Sequence, residues 1–166
     1  NRNKLLLDPY ARALTGSFVW DFSNSLPYDP ASPERDLSFS ETFDASVFPK
    51  CVVVDSEAFD WQGDRPINAP LRRTIIYETH LRGLSAHGSS KVAHPGTYRG
   101  VVESIPYLKE LGITAVEFLP LQEFDEFEYS DRTNPMTGEA LKNYWGYSTI
   151  SFFAPKASFA ATDRDG

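Results

Sequence analysis

The sequence is short of cysteine, of clustered basic residues and of long apolar runs, and each shortage argues against a class of protein. Cys51 is its single cysteine, which excludes an intrachain disulfide and fits a reducing compartment such as the cytoplasm. The chain has 16 Lys and Arg residues and 23 Asp and Glu residues, which gives a net charge of −7. Because phosphates attract clustered cations, we expect no nucleic-acid partner. No stretch approaches the roughly 20 apolar residues of a membrane helix, so no membrane partner is expected.

Aromatic residues, by contrast, are abundant. Phe, Tyr and Trp number 12, 8 and 3 and make up 14% of the chain. This abundance has two interpretations, an aromatic-rich core or rings that stack on carbohydrate, and composition alone favours the core. The hydrophobic share of 41% and the charged share of 23% are ordinary for a globular protein.

Residues 1–70 contain prolines at a density that excludes long regular elements, because each proline fixes its own φ and turns the preceding residue away from the helix. One short strand is predicted at residues 50–55, where three valines adjoin Cys51. A packed thiol is therefore expected rather than a reactive one. The aromatic residues of this segment are too many for a free linker, and we expect them to be buried against a larger body. They are Phe18, Trp20, Phe22, Phe39, Phe43, Phe48, Phe59 and Trp61.

From residue 73 onward the pattern predicts a strand, a helix and a second strand. Residues 74–81 are β-branched and aromatic, and their apolar start favours a strand covered on both faces. Thr97 is placed to cap a helix with apolar residues at 101, 105, 108 and 111, and Gly112 to end it in a left-handed cap. The second strand is predicted at residues 113–119. Together they make a right-handed βαβ unit with parallel strands.

Two features of this unit leave alternatives open. Pro106 removes a backbone hydrogen bond at a cost of about 3 kcal/mol. The helix therefore either kinks there or restarts, with Ser104 capping a shorter second segment. Two strands of a parallel sheet also cannot close a core, so more chain or a partner is needed to cover them.

Several motifs occur in an order that resembles the isoamylase-type glycogen debranching enzymes of the α-amylase superfamily. Residues 5–13 read Leu-Leu-Leu-Asp-Pro-Tyr-Ala-Arg-Ala, and Trp61 and the motif at residues 76–85, which begins within the predicted first strand, follow. Gly-Thr-Tyr-Arg-Gly at 96–100, the run at 107–117, and Asn-Tyr-Trp-Gly-Tyr at 143–147 continue the match. The resemblance covers nearly the whole chain.

The resemblance implies an α/β fold, the first two strands of a (β/α)8 TIM barrel. Residues 1–70 would link an N-terminal β-sandwich carbohydrate-binding module to the barrel, and residues 71–166 would supply strand 1, helix 1, strand 2 and the following loop. A barrel of this kind needs about 250 residues. The remainder of the same polypeptide would therefore complete it.

The activity implied is retaining hydrolysis of α-1,6 branch linkages in glycogen, amylopectin or limit dextrin. Such enzymes use two carboxylates, which in this family follow later strands, so no catalytic residue is assigned here and the chain alone is expected to be inactive. Other interpretations are a pullulanase, a trehalose-releasing hydrolase, a branching enzyme, or a noncatalytic glucan-binding or regulatory subunit. A plastid replaces the cytoplasm as the expected compartment if the source is a plant or alga.

What carries over from the family is substrate binding. Tyr147 matches the tyrosine that stacks on the glucose ring beside the scissile bond. Of Tyr144 and Trp145, one is expected to line the cleft and the other to pack. His80 and Arg82 match a pattern at the end of strand 1, where each either binds substrate or shapes the barrel mouth. No cofactor and no metal are expected, since the histidines lack metal-ligand spacing, and the acidic run at residues 123–128 is interpreted as a solvated loop.

Overall fold

The computed structural model of the protein describes residues 1–15, 25–128 and 131–161. The strands in these ranges are β1 (Leu14–Thr15), β2 (Lys50–Cys51), β3 (Ile76–Thr79), β4 (Ala115–Phe118), β5 (Gln122–Phe124) and β6 (Thr149–Pro155). The α-helices are α1 (Leu81–Ser85) and α2 (Tyr98–Glu110), and short 3₁₀ helices lie at Arg35–Leu37, Leu71–Arg73, Gly88–Ser90 and Ala157–Phe159. The chain divides into two compact units. Unit 1 contains Asn1–Val54 and Gln122–Pro155, and unit 2 contains Asp55–Leu121 and Lys156–Gly166.

Unit 2 is built on the predicted strand–helix–strand pattern. Strands β3 and β4 pair in parallel, with Ile76 opposite Ala115 and Thr79 opposite Phe118, which confirms the parallel pairing. Both strands are shorter than predicted. His80, predicted as strand, instead caps α1, because its Nδ1 accepts a hydrogen bond from the Gly83 amide at 3.1 Å.

The ends of α2 are those that the sequence predicts. Thr97 Oγ1 accepts a hydrogen bond from the Gly100 amide at 3.2 Å. At the other end Gly112 has φ +81°, and the Gly112 and Ile113 amides donate to the carbonyls of Lys109 and Leu108. That pair of bonds is a Schellman cap.

The helix α2 continues through Pro106 as one element. Ser104 does not cap a second segment, since its hydroxyl donates back to the Gly100 carbonyl at 2.7 Å. Of the two alternatives, the restart at Ser104 is therefore wrong.

The predicted covering of the first strand on both faces is wrong for the described residues. The side chains of Ile75 and Ile76 are about half exposed, because the parallel sheet has two strands in this part of the chain. An apolar strand face thus remains uncovered there.

Unit 1 contains an antiparallel pair formed by β5 and β6, with Glu123 opposite Ser151 and Phe124 opposite Thr149. Phe124, Ser151 and Ala154 are buried, and the Ser151 hydroxyl donates to the Ala11 carbonyl at 3.3 Å. The sequence predicts a loop after the second strand, and this prediction is wrong, because the region contains two paired strands. Their residues meet across more than 20 positions of sequence, and local periodicity does not report such a pairing.

The described residues among the first 54 contain little regular structure, as the prolines predict. The strand predicted at residues 50–55 is reduced to β2, which pairs antiparallel with β1 through Leu14 and Cys51. Cys51 is exposed, so the expectation of a packed thiol is wrong.

The predicted burial of aromatic rings in residues 1–70 is also wrong for four of them. Phe39, Phe43, Phe59 and Trp61 are exposed. Phe59 and Trp61 contact each other edge to face, with ring centroids 4.9 Å apart, and this mutual contact leaves most of each ring at the surface. Phe18, Trp20 and Phe22 lie outside the described residues.

No helix in the described ranges is both long and apolar enough to cross a membrane.

Candidate functional site

The most accessible aromatic rings of the predicted site belong to residues 143–147 of unit 1, here called the aromatic segment. Two backbone hydrogen bonds hold its ends to neighbouring residues. The Asn143 amide donates to the Glu126 carbonyl, and the Asp125 amide donates to the Ser148 carbonyl, each at 3.0 Å. The segment is therefore a short loop closed at its base rather than a free connection.

A third hydrogen bond closes the loop from inside. The Asn143 side-chain Oδ1 accepts from the Gly146 amide at 3.0 Å, and Gly146 has φ +82°. A positive φ costs a glycine little but strains a residue that has a Cβ. Both residues are buried, so the polar interior of this turn is withdrawn from solvent.

The three aromatic side chains of the segment point outward from that buried turn. Tyr144, Trp145 and Tyr147 are 45%, 56% and 68% exposed. Tyr144 and Trp145 contact each other edge to face, with centroids 5.2 Å apart and planes at 85°, a favourable geometry for two rings. Tyr147 presents the largest accessible share, and such a surface suits the apolar face of a sugar ring.

A cavity of about 950 Å³ in unit 1 includes Tyr147 in its lining. Its other lining residues are Leu6, Leu7, Pro9, Phe48, Asp125, Glu128, Ser148, Thr149 and Ile150. The lining combines apolar side chains with two carboxyl groups that accept hydrogen bonds, a mixture that suits a ligand with apolar faces and hydroxyl edges.

The acidic run at residues 123–128 is not the solvated loop that the sequence predicts. Its first residues belong to β5, and Asp125 is buried, with Oδ1 accepting from the Phe127 amide at 2.9 Å. Glu128 Oε2 accepts a hydrogen bond from the Ser148 hydroxyl. The run departs from a solvated loop because Phe124, which is buried near its start, brings the neighbouring residues into the unit.

The other two predicted site residues, His80 and Arg82, lie in unit 2 and have partners within it. The buried His80 ring contacts the Phe159 ring edge to face at 5.9 Å. The Arg82 guanidinium lies 5.0 Å from the centre of the same ring and donates to the Ser158 carbonyl at 3.3 Å. Both side chains thus hold the turn after β3 against the segment at residues 156–159.

The histidines at 87 and 94 have partners other than a metal. His87 Nδ1 lies 2.9 Å from the Ser89 hydroxyl, and His94 Nδ1 lies 2.5 Å from Glu103 Oε1. This bond from His94, with help from the Ala93 and His94 amides, lowers the pKa of Glu103. Among the described residues no group of three or more His, Cys, Asp or Glu is arranged to hold a metal ion.

Sequence reasoning missed the part that Asn143 plays in the aromatic segment. A signal was present, since an Asn side chain readily accepts a hydrogen bond from a nearby backbone amide in a turn, and glycine at 146 supplies the positive φ. The participation of Asp125 in the cavity had no comparable signal, because it depends on which residues of the first 50 lie beside it.

Comparison with known proteins covers nearly the whole chain. No family model matches it. Isoamylase 1, chloroplastic, of Arabidopsis thaliana is 39% identical over 164 residues, which are 98% of this chain and 19% of that protein. Isoamylase SU1, chloroplastic, of Zea mays is 47% identical over 160 residues, 96% of this chain and 18% of that protein. The glycogen debranching enzyme of Dickeya chrysanthemi is 39% identical over 166 residues, 98% of this chain and 23% of that protein.

Solved structures agree on the fold. The pullulanase of Anoxybacillus sp. LM18-11, complexed with maltotriose, has a TM-score of 0.59 at 23% identity and covers 98% of this chain, which spans 20% of it. The pullulanase of Bacillus acidopullulyticus has a TM-score of 0.58 at 26% identity, with 95% and 16% coverage. An α/β fold is thus confirmed, and the chain spans about a fifth of the curated relatives that it matches. Along nearly its whole length the chain is a homologue of the isoamylases and glycogen debranching enzymes, as its motifs indicate.

Proposed function

We propose that this chain is part of a glycoside hydrolase that cleaves α-1,6 branch linkages in glycogen, amylopectin or limit dextrin. The observation that carries the proposal is the similarity, at 37–47% identity over nearly the whole chain, to proteins named isoamylase or glycogen debranching enzyme. The maltotriose bound by one structural neighbour supports a glucan as the ligand class.

Within that enzyme the chain supplies part of the glucan-binding cleft. Tyr147 stacks on a glucose ring, and its exposure supports this role. Stacking on an aromatic face contributes about 1–2 kcal/mol, by analogy with aromatic pairs. Tyr144 and Trp145, which contact each other, extend the aromatic surface beside it. The intramolecular partners of His80 and Arg82 favour a role in shaping the mouth of the cleft over direct contact with sugar.

Strands β3 and β4 are the first two strands of a (β/α)8 barrel in this proposal. Their parallel pairing and the exposed apolar side chains of Ile75 and Ile76 support it, because a barrel would cover those side chains with further strands and helices. The remainder of the polypeptide would complete the barrel, and residues 1–70 would connect it to a β-sandwich module.

The catalytic carboxylates belong, on this proposal, to later strands of the same polypeptide. A retaining mechanism needs one carboxylate as nucleophile and one as acid and base, about 5–5.5 Å apart. This chemistry requires no cofactor. The compartment proposed is the cytoplasm, or a plastid if the source is a plant or alga, as the word chloroplastic in the names of two relatives suggests.

The test incubates the intact polypeptide with amylopectin, with pullulan and with maltotriose, and measures the products that are released. We expect linear chains to be released from amylopectin. Faster release from pullulan would favour a pullulanase, whose fold is shared, while trehalose or new branches among the products would favour the corresponding relatives. Binding of glucan without any released product would overturn the hydrolase and favour a noncatalytic subunit.

A further inference from the structure

We propose that Asn143 is a positioning residue for the Tyr147 ring. This inference rests on the proposed function, since it takes Tyr147 as a glucan-stacking side chain. Asn143 is itself nearly inaccessible to a ligand, because only 8% of it is exposed. Its effect on a ligand would therefore pass through the loop that it holds.

The geometry gives Asn143 two separate contacts in the segment. Its backbone amide donates to the Glu126 carbonyl and fixes the start of the loop. Its side-chain Oδ1 accepts from the Gly146 amide, one residue before Tyr147, and fixes the turn at its tightest point. Together the two contacts set the direction in which the chain leaves Gly146, and this direction sets where the Tyr147 ring points.

The bond to Gly146 is the one that a substitution can remove. The Gly146 amide is buried together with its acceptor, and a buried amide without an acceptor is strongly unfavourable. Loss of Oδ1 would therefore lead the turn to reopen toward water, moving Tyr147. The tyrosine itself would remain present and accessible, with its ring displaced from the plane that a sugar needs.

The Nδ2 group of the Asn143 side chain can be replaced without loss of a hydrogen bond. This group is buried and has no hydrogen-bond partner. Asn143→Asp therefore keeps an acceptor for the Gly146 amide and sacrifices no hydrogen bond within the protein, but it places a carboxylate at a position that is only 8% exposed. Asn143→Ala removes the acceptor. The two variants differ in the contact that the proposal requires.

The experiment measures the dissociation constant of maltooligosaccharide in the intact polypeptide. We expect Tyr147→Ala to raise it about tenfold and Asn143→Ala about fivefold, with Asn143→Asp closer to the parent than Asn143→Ala because the acceptor is retained. In the double variant Asn143→Ala/Tyr147→Ala, the loss should equal that of Tyr147→Ala alone, because a residue that acts through a ring has no effect once the ring is gone. His87→Ala, in unit 2 and exposed, is the control and should bind like the parent.

Each other result identifies what has failed. Losses that add in the double variant would overturn positioning through Tyr147, since they would show an independent structural role. An unchanged Asn143→Ala beside a weakened Tyr147→Ala would overturn this inference and leave the proposed function intact. If Tyr147→Ala itself binds normally, the glucan-stacking role and this inference both fall. Should Asn143→Ala unfold the polypeptide, Asn143→Gln, which moves the oxygen by one methylene, replaces it with the same expected weakening.

Discussion

Two regions of the molecule each combine a glycine with a buried polar side chain, but to different ends. One is the contact between α1 and α2 in unit 2, and the other is the aromatic segment in unit 1. At the helix contact, Ser85 is fully buried and its hydroxyl accepts from the Gly96 amide at 2.9 Å, while Gly100 lets the helices approach closely. In the aromatic segment, Asn143 and Gly146 close a buried turn that leaves three rings exposed.

The difference separates stability from binding. At the helix contact Ser85 and Gly100 are both buried, so changes there should alter the free energy of unfolding. In the aromatic segment the polar groups support rings that cover little of the unit's interior. Changes to those rings should alter ligand affinity with little effect on folding.

The largest effect is expected for Gly100→Ala. A Cβ at this position would lie 2.3 Å from the His94 carbonyl oxygen and 2.8 Å from the Ser85 hydroxyl, so backbone must shift to admit it. We expect a destabilisation of about 3 kcal/mol, as for overpacked cores. Thermal and denaturant unfolding of the intact polypeptide would measure it.

The control is Gly88→Ala, because a Cβ at Gly88 meets nothing within 4 Å. It should unfold within about 0.5 kcal/mol of the parent. An equally small change in Gly100→Ala would mean that α2 lies farther from the His94 carbonyl and the Ser85 hydroxyl than the structure has it.

The second effect, on binding, is expected for Tyr147→Ala. Removing the ring should weaken glucan binding by about 1–2 kcal/mol and leave the unfolding midpoint unchanged, because the side chain is largely exposed. Calorimetric titration together with thermal unfolding measures both quantities. Tyr147→Phe keeps the ring and should bind like the parent. A lowered midpoint in Tyr147→Ala would instead assign this ring to packing and break the separation.

A smaller effect is expected at the start of α2. Thr97 Oγ1 accepts from the Gly100 amide and donates to the His94 carbonyl at 2.8 Å, so Thr97→Ala removes the helix cap and one further bond. The expected loss of stability is about 1 kcal/mol, read from the midpoint of denaturant unfolding. Thr97→Ser retains the hydroxyl and should recover most of it. If Thr97→Ala and Thr97→Ser both unfold at the midpoint of the parent, the cap contributes nothing measurable.

How far the sequence predicts the fold depends on the range of the interactions. The ends of α2 were predictable because Thr97 and Gly112 satisfy backbone groups only a few residues away. The parallel pairing of β3 with β4 was predictable because a helix of this length between two strands permits little else. The pairing of β5 with β6 was not, since it joins residues more than 20 positions apart.

The candidate site divides in the same manner. The aromatic content of residues 143–147 is visible in the sequence, and so is Asn143 three residues before Gly146. The exposure of those rings depends on two backbone hydrogen bonds, from the Asn143 amide to the Glu126 carbonyl and from the Asp125 amide to the Ser148 carbonyl, which no local pattern reports. For His80 and Arg82 the sequence offered two roles, and the partner that favours the structural one, Phe159, is nearly 80 residues away.

The smallest effect concerns pH and tests whether the loop before α2 depends on a charge. Glu103 Oε2 accepts from the Ala93 amide at 2.6 Å and Oε1 contacts His94 Nδ1. The His94 bond, outweighing the opposing effect of desolvation, lowers the pKa of Glu103 below its ordinary 4.5. Because the folded value is the lower one, ionised Glu103 stabilises this loop above pH 4.5 and the contribution is lost as pH falls further.

Protection of the Ala93 amide from hydrogen exchange should therefore decline below pH 4.5 in the parent and vary less in Glu103→Gln. Glu110→Gln, at the far end of α2, is the control and should behave like the parent. If parent and Glu103→Gln decline in parallel, the loop is held by its backbone bonds alone, and the helix contact then owes its stability to close packing rather than to charge.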